Sequence, residues 1–248
     1  ADTGGGKTAA VKLLDVCGNH TSLFDIYGNY RHDGRKAKSN KFNGLGGRVV
    51  HTHNDRKSFA DAFVSAWSSG KKFVLAYTPK PPHMMSQDGV LKFRRAELDW
   101  WGGLMWQALD GNRELCMGIE ELAKLVQSVG KDSSIIGEIA TGGRAFGGVL
   151  VTVFQRKQEV PKTIWNMSPI KIIGALDTKA DIKAMNEAID VPTKCLEQVS
   201  ALNAKYVKRY LHYVVKTKGF GNLSAKRVSL NPPFKVDKWS LDQLLVAS

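Results

Sequence analysis

Acidic residues are scarce in this chain relative to basic ones. Its 248 residues include 23 Asp and Glu against 36 Lys and Arg, a formal net charge of +13. Such an excess often marks a nucleic-acid partner, although a basic surface alone concerns solubility and association rather than fold. Cysteine is rarer still. Cys17, Cys116 and Cys195 are an odd, widely spaced set, which argues against a disulfide framework or a zinc site and for a reducing compartment. Long apolar runs are missing too: the longest uncharged one, Ala145 to Phe154, is too short to span a bilayer. No signal-peptide pattern, internal repeat or low-complexity tract is visible. Apolar residues as a class are not lacking. At 43% hydrophobic the chain can bury a core, which excludes wholesale disorder, and its length suits one large α/β domain or two small ones.

What is present begins at the first residue. ADTGGGKT fits the phosphate-binding pattern G-x-x-x-x-G-K-[ST] from Ala1 to Thr8, with Ala1 where the first glycine is usual. Gly4, Gly5 and Gly6 let backbone N–H groups turn inward around a phosphate. Lys7 reaches the β/γ oxygens, and Thr8 offers a hydroxyl to Mg²⁺. The apolar run 9–14 reads as a helix whose N-terminus faces the anion. A loop of this kind follows a buried strand. That strand is expected upstream in the native product, or another segment is expected to fill its slot.

Further along, strands and helices alternate. TSLFDI reads as a short buried strand ending in the turn Tyr27-Gly28-Asn29. Residues 31–48 form a polar, glycine-rich loop bearing Arg31, Arg35, Lys36, Lys38, Lys41 and Arg48. RVVHTHN is a strand. Phe59, Phe63 and Trp67 recur at helical spacing up to a stop at Gly70. KKFVLAYTPK is a strand, 81–89 a loop and LKFRRAELDWWGGLMWQAL a covered helix. Leu115 to Ile119 is a short apolar strand, and 129–148, with six glycines, a loop-rich crossover. GGVLVTVFQRKQ and IKIIGAL are strands. Two helices, a β-hairpin over LHYVVKTKGFGNLSAKRVSL and a short amphipathic tail follow. The alternation predicts a mostly parallel, covered sheet.

A phosphate-binding loop needs a carboxylate at the end of a neighbouring strand to help hold Mg²⁺, and a second acid to polarise the attacking water. Glu120 and Glu121 stand at the C-terminal end of 115–119, the edge where ligands bind in open α/β sheets. Glu120 is assigned to the metal and Glu121 to the water. The competing reading is that both simply begin the helix EELAKLVQSV.

The order of these motifs resembles the HerA/FtsK-type P-loop ATPases that pump DNA. After the loop comes a strand reading roughly DxxGEY, matched by Asp25, Gly28 and Tyr30, with Asn29 where Glu is common. A G-R-x-x-G element precedes a sensor strand, matched by Gly143, Arg144 and Gly147. The strand ends in Gln155 and Arg156, and Val160, Ile164, Asn166, Ile172, Ile173, Asp177 and Asp181 follow the next pattern. The resemblance covers roughly residues 1–185 and is most similar to the genome-packaging ATPases of icosahedral, membrane-containing viruses. It implies a RecA/FtsK-like α/β core over 1–190, with helices on both faces of the sheet. A C-terminal helix, hairpin and tail over 191–248 pack on that core. It implies ATP and Mg²⁺ as cofactors and non-specific DNA phosphate as partner. It also implies self-association into a ring, a hexamer, with capsid vertex proteins as further partners, in the host cytoplasm or at the virion packaging vertex.

The resemblance gives further residues roles. Gln155, at a strand tip, senses or orients the attacking water. Arg144 is the finger offered in trans, with Arg156 as runner-up. Asp25 supports the active-site edge or caps its own turn. Loop 31–48 and the hairpin residues Lys205, Lys208, Arg209, Lys216, Lys218, Lys226 and Arg227 are candidate phosphate contacts, and loop 81–89 a candidate pore lining. Trp100, Trp101 and Trp106 read as core or subunit interface. His51 and His53 read as structural, and Cys116 as a buried small hydrophobe. Alternatives are a filamentous-phage-type assembly ATPase, a small-molecule kinase and a nucleic-acid-binding protein with a vestigial phosphate loop.

Overall fold

The computed structural model describes residues 6–35, 40–126, 133–219 and 221–247. The chain divides into two compact units. One comprises 15–154 and 160–167, the other 1–14, 155–159 and 168–248.

The larger unit is built on a five-stranded sheet of β1 (His20–Phe24), β2 (His51–His53), β3 (Phe73–Tyr77), β4 (Leu115–Ile119) and β5 (Gly148–Thr152). Its order is β2-β3-β1-β4-β5, and every pairing is parallel. This is the α/β architecture that the alternating sequence predicts. β3 and β4 are buried on both faces and read as continuous apolar runs rather than alternating ones, while β1 between them buries Thr21 and Ser22 as well as Leu23 and Phe24.

Three long connections are helical: α2 (Arg56–Ser69), α3 (Gln87–Ala108) and α4 (Ile135–Gly142). α2 starts where the Asp55 side chain accepts from Ser58 N–H at 2.9 Å and stops where Gly70 turns left-handed at φ 67°. Its Phe59 and Phe63 join Phe24, Tyr77, Trp101, Met105, Met117 and Ile119 in one core. Trp101 is fully buried there and donates to Ser22 Oγ at 2.9 Å. Trp100 and Trp106 pack against the same core, so the tryptophan cluster is structural. α3 and α4 approach closely because Gly102 has no side chain; a Cβ there would lie 2.7 Å from Ile135 Cγ2. α4 corrects the expectation of a loop over 129–148, whose glycines suggested no helix. The competing reading, a helix begun by Glu120 and Glu121, is not met over 120–126. The described residues directly after β4, 120–126, hold the 3₁₀ turn Leu122–Lys124.

The larger unit also holds α5 (Lys162–Met167); the smaller holds α1 (Lys7–Leu13), β6 (Lys171–Ile173), α6 (Lys179–Ile189), α7 (Thr193–Lys205), β7 (Tyr210–Lys216), β8 (Leu223–Ser229), β9 (Val236–Trp239) and α8 (Leu241–Val246). Its sheet has the order β6-β7-β8-β9 and is antiparallel throughout. The predicted hairpin is β7–β8, extended at both edges. β6, read from sequence as one more strand in a mostly parallel array, belongs here instead. α8 opens on a capping box in which Ser240 and Gln243 bond reciprocally.

Candidate active site

The C-terminal ends of the parallel strands form one edge. Backbone bonds run across it from Asp25 N–H to Tyr77 C=O (3.0 Å), Glu120 N–H to Phe24 C=O (3.1 Å) and Val153 N–H to Ile119 C=O (3.1 Å). Asp25 and Glu120 therefore leave neighbouring strands at the same level. Both are buried.

Asp25 organises the turn after β1. Its carboxylate accepts from Tyr27 N–H at 3.3 Å and Tyr30 N–H at 2.9 Å. The turn delivers Tyr30, whose hydroxyl donates to Glu120 Oε1 at 2.6 Å. Asp25 thus caps its turn and, through Tyr30, seats the carboxylate of the next strand. Burial first, and then the charge of Glu120, push the Tyr30 phenol well above its ordinary value, so Tyr30 remains a donor at neutral pH. In the sequence Tyr30 stands only as a motif position. Its bond to Glu120 spans 90 residues, and no local pattern announces it.

Glu121 follows with left-handed backbone angles, φ 54° and ψ 41°. A non-glycine residue held there is strained by roughly 1–3 kcal/mol, and such strain clusters at functional sites. The 3₁₀ turn then brings Lys124 back, its Nζ 3.9 Å from Glu121 Oε2 and 2.9 Å from the Tyr27 hydroxyl.

Gly4 and Gly5 lie outside the described residues. Gly6 caps α1 in a left-handed conformation, φ 78°. Within its own unit it sits against β7: its carbonyl accepts from the Tyr213 hydroxyl at 2.7 Å, and a Cβ on it would meet Leu211 Cδ1 at 2.8 Å. Lys7 and Thr8 open α1 and are half-buried. Gln155 is half-buried three residues beyond the end of β5, not at a strand tip. Arg144 is exposed, in a 3₁₀ turn (Gly143–Phe146) that closes α4 rather than in an open loop. Gly6, Lys7, Thr8 and Gln155 belong to the smaller compact unit; Glu120, Glu121 and Arg144 belong to the larger.

The basic candidates separate. Arg227 lies 4.9 Å from the ring centroids of both Tyr210 and Trp239 and bonds Asp237 through two nitrogens. These bonds take two of the five N–H donors of the guanidinium, and the side chain stays 35% exposed. Arg48 likewise donates to the carbonyls of Gly18 (2.6 Å) and Cys17 (3.0 Å). Lys205, Lys208, Arg209 and Lys218 are exposed. Lys36 and Lys38 lie outside the described residues. In loop 81–89 Met84 is fully exposed. His51 and His53 share β2, and burial lowers the His53 pKa. Among the described residues no group of three His, Cys, Asp or Glu could hold a metal, and no helix is long and apolar enough to cross a membrane.

No protein-family model matches the chain. Protein P9 of Pseudoalteromonas phage PM2 is 31% identical over 93 residues, 38% of this chain. The match spans 42% of the length of P9. Among solved structures, the chain is similar to the genome packaging NTPase B204 of Sulfolobus turreted icosahedral virus 2. With ATP-gammaS that protein superposes at a TM-score of 0.47 and 12% identity, over 95% of this chain and 91% of B204. With AMP it gives 0.44 and 13%, over 96% and 93%. B204 of Sulfolobus turreted icosahedral virus, described as a DNA-packaging ATPase, gives 0.35 and 14% over 77% and 81%.

Proposed function

We propose that this chain is a P-loop ATPase that pumps DNA, and that it works as a viral genome-packaging motor. The observation that carries the reading is the end of β4. There a buried carboxylate, Glu120, is seated by Tyr30, and a second, Glu121, follows at once in a left-handed backbone. The same chain carries the G-G-G-K-T signature.

The roles follow from the chemistry of each group. The backbone of Gly4 to Gly6 and the ammonium of Lys7 hold the nucleotide phosphates. The Thr8 hydroxyl and Glu120 carboxylate are hard oxygen donors, the kind that suits Mg²⁺, which binds through one or two carboxylates and the substrate phosphates. The ion, when bound, neutralises charge on the transferred phosphoryl group. Glu121 accepts a proton from, or orients, the attacking water; Gln155 aligns it. Arg144, on an exposed turn, is suited to a finger that completes a neighbour's site. A finger supplied in trans requires head-to-tail contacts, which close into a ring, read here as a hexamer. Exposed lysines and arginines on loop 31–48 and on the smaller unit hold the DNA backbone without sequence preference. Capsid vertex proteins are the expected docking partners, in the host cytoplasm or at the packaging vertex.

The test is displacement of a triplex-forming oligonucleotide from duplex DNA. Displacement that requires hydrolysable ATP and Lys7 supports a translocase. ATP turnover without displacement removes translocation and favours an assembly ATPase. DNA binding without turnover favours a vestigial phosphate loop.

A further inference from the structure

Tyr27 is nearly half exposed on the turn that Asp25 organises. Two cations meet at its ring: Arg94, from α3, at 5.5 Å from the centroid, and Lys124 at 5.1 Å. Lys124 also bonds the Tyr27 hydroxyl at 2.9 Å and stands 3.9 Å from Glu121. The Lys124 side chain is 52% exposed and that of Glu121 only 13%, so an incoming ligand reaches the ammonium before the carboxylate. Arg94 brings a buried Nε that has no hydrogen-bond partner among the described residues. Its neighbour Arg95 instead bonds the carbonyls of Leu125 (3.0 Å) and Val126 (3.3 Å), fixing the turn that carries Lys124. The cluster is thus two cations and one carboxylate around an exposed aromatic ring, on a braced turn.

We propose that Tyr27, Arg94 and Lys124 form a docking point for a nucleic-acid backbone phosphate, and that its occupation controls Glu121. The inference rests on Glu121 being the residue that handles the attacking water. With the docking point vacant, Lys124 is shared between the Tyr27 hydroxyl and the Glu121 carboxylate, and it holds that carboxylate away from the water. An arriving phosphate competes for the ammonium, with Arg94 as its second donor. Lys124 turns outward and Glu121 is released. Lys124 is then a positioning residue, and hydrolysis becomes conditional on nucleic acid being engaged.

The experiment measures steady-state Mg·ATP turnover of the full chain against duplex DNA concentration, for wild type, Lys124→Met, Lys124→Arg, Tyr27→Phe, Arg94→Gln and Glu121→Gln. Removing an exposed ion pair of this kind is expected to raise the DNA-free rate of Lys124→Met by about two- to five-fold, with DNA stimulation falling toward none. Lys124→Arg is expected to keep the wild-type ratio, Tyr27→Phe to shift it part of the way, and Arg94→Gln to raise the DNA concentration needed for half-maximal stimulation. A merely structural lysine would lower both rates together and leave their ratio unchanged. Lys124→Met with wild-type rates and wild-type stimulation, while Glu121→Gln is inactive, overturns the docking point and leaves the role of Glu121 standing. Turnover retained by Glu121→Gln, or absent from wild type, overturns both.

Discussion

Replacing Tyr30 by Phe isolates one hydrogen bond at the end of β4. Tyr30 and Glu120 are each 2% exposed and bond at 2.6 Å. The substitution keeps the ring, so it opens almost no cavity, but it strips a buried carboxylate of an O–H donor. Hydrogen bonds to charged groups contribute about 1.5–3 kcal/mol, and a short, buried one lies in the upper part of that range. A loss of about 2–3 kcal/mol is therefore expected, or about 4–12 °C in Tm for a chain of this length. Urea unfolding followed by tryptophan fluorescence reports it, because Trp101 lies in the core of the same unit. In the background of Glu120→Gln, Tyr30→Phe is expected to cost much less, the difference being the coupling of the pair. The pH dependence has a sign as well. The Tyr30 phenol lies above its ordinary value of 10.0 in the folded protein, so the unfolded chain loses that proton first. The stability contributed by Tyr30 is present below pH 10 and falls as pH rises beyond it. A stability loss under about 0.5 kcal/mol would refute the reasoning, since a surface substitution costs as much.

Two other substitutions probe the two units separately. Gly118→Ala places a Cβ 2.5 Å from Leu23 Cδ2 between two buried strands. It is expected to cost about 1–3 kcal/mol by overpacking, with Leu23→Val in the same chain recovering part of the loss in the same urea titration. In the smaller unit, burial first and then Arg227 push the His212 pKa from 6.5 down to about 4. The unfolded chain takes up this proton at higher pH than the folded one. Stability is thus full above pH 6.5 and is lost as pH falls toward 4; thermal melts across that window are expected to flatten in His212→Gln.

Sequence carried some of this further than the rest. The strand 115–119 and the helix ending at Gly70 were legible because apolar periodicity and capping residues are local signals. α4 was not, because the six glycines of 129–148 mask a helix; one of them, Gly142, packs on Trp106, where a Cβ would lie 3.1 Å from the ring. β6 was legible as a strand, but not its partner, since a three-residue apolar run does not encode which sheet it joins. The acids at 120 and 121 were found from their place after a strand. Their surroundings were not: Tyr30 reaches Glu120 across 90 residues and Tyr27 reaches Lys124 across 97, and only the register of β1 against β4 brings those turns together. The surroundings of Arg227 were hidden for the same reason. Its stacking rings and its carboxylate lie on other stretches of chain and become neighbours only when β7, β8 and β9 pair.

The most direct test of the central claim is the steady-state ATPase rate with Mg²⁺, with and without DNA, for wild type and Glu121→Gln. A DNA-stimulated rate that is lost in the variant, while the variant still binds nucleotide and DNA, is the expected result. No turnover from folded wild-type protein, or turnover that Glu121→Gln leaves intact, would contradict it.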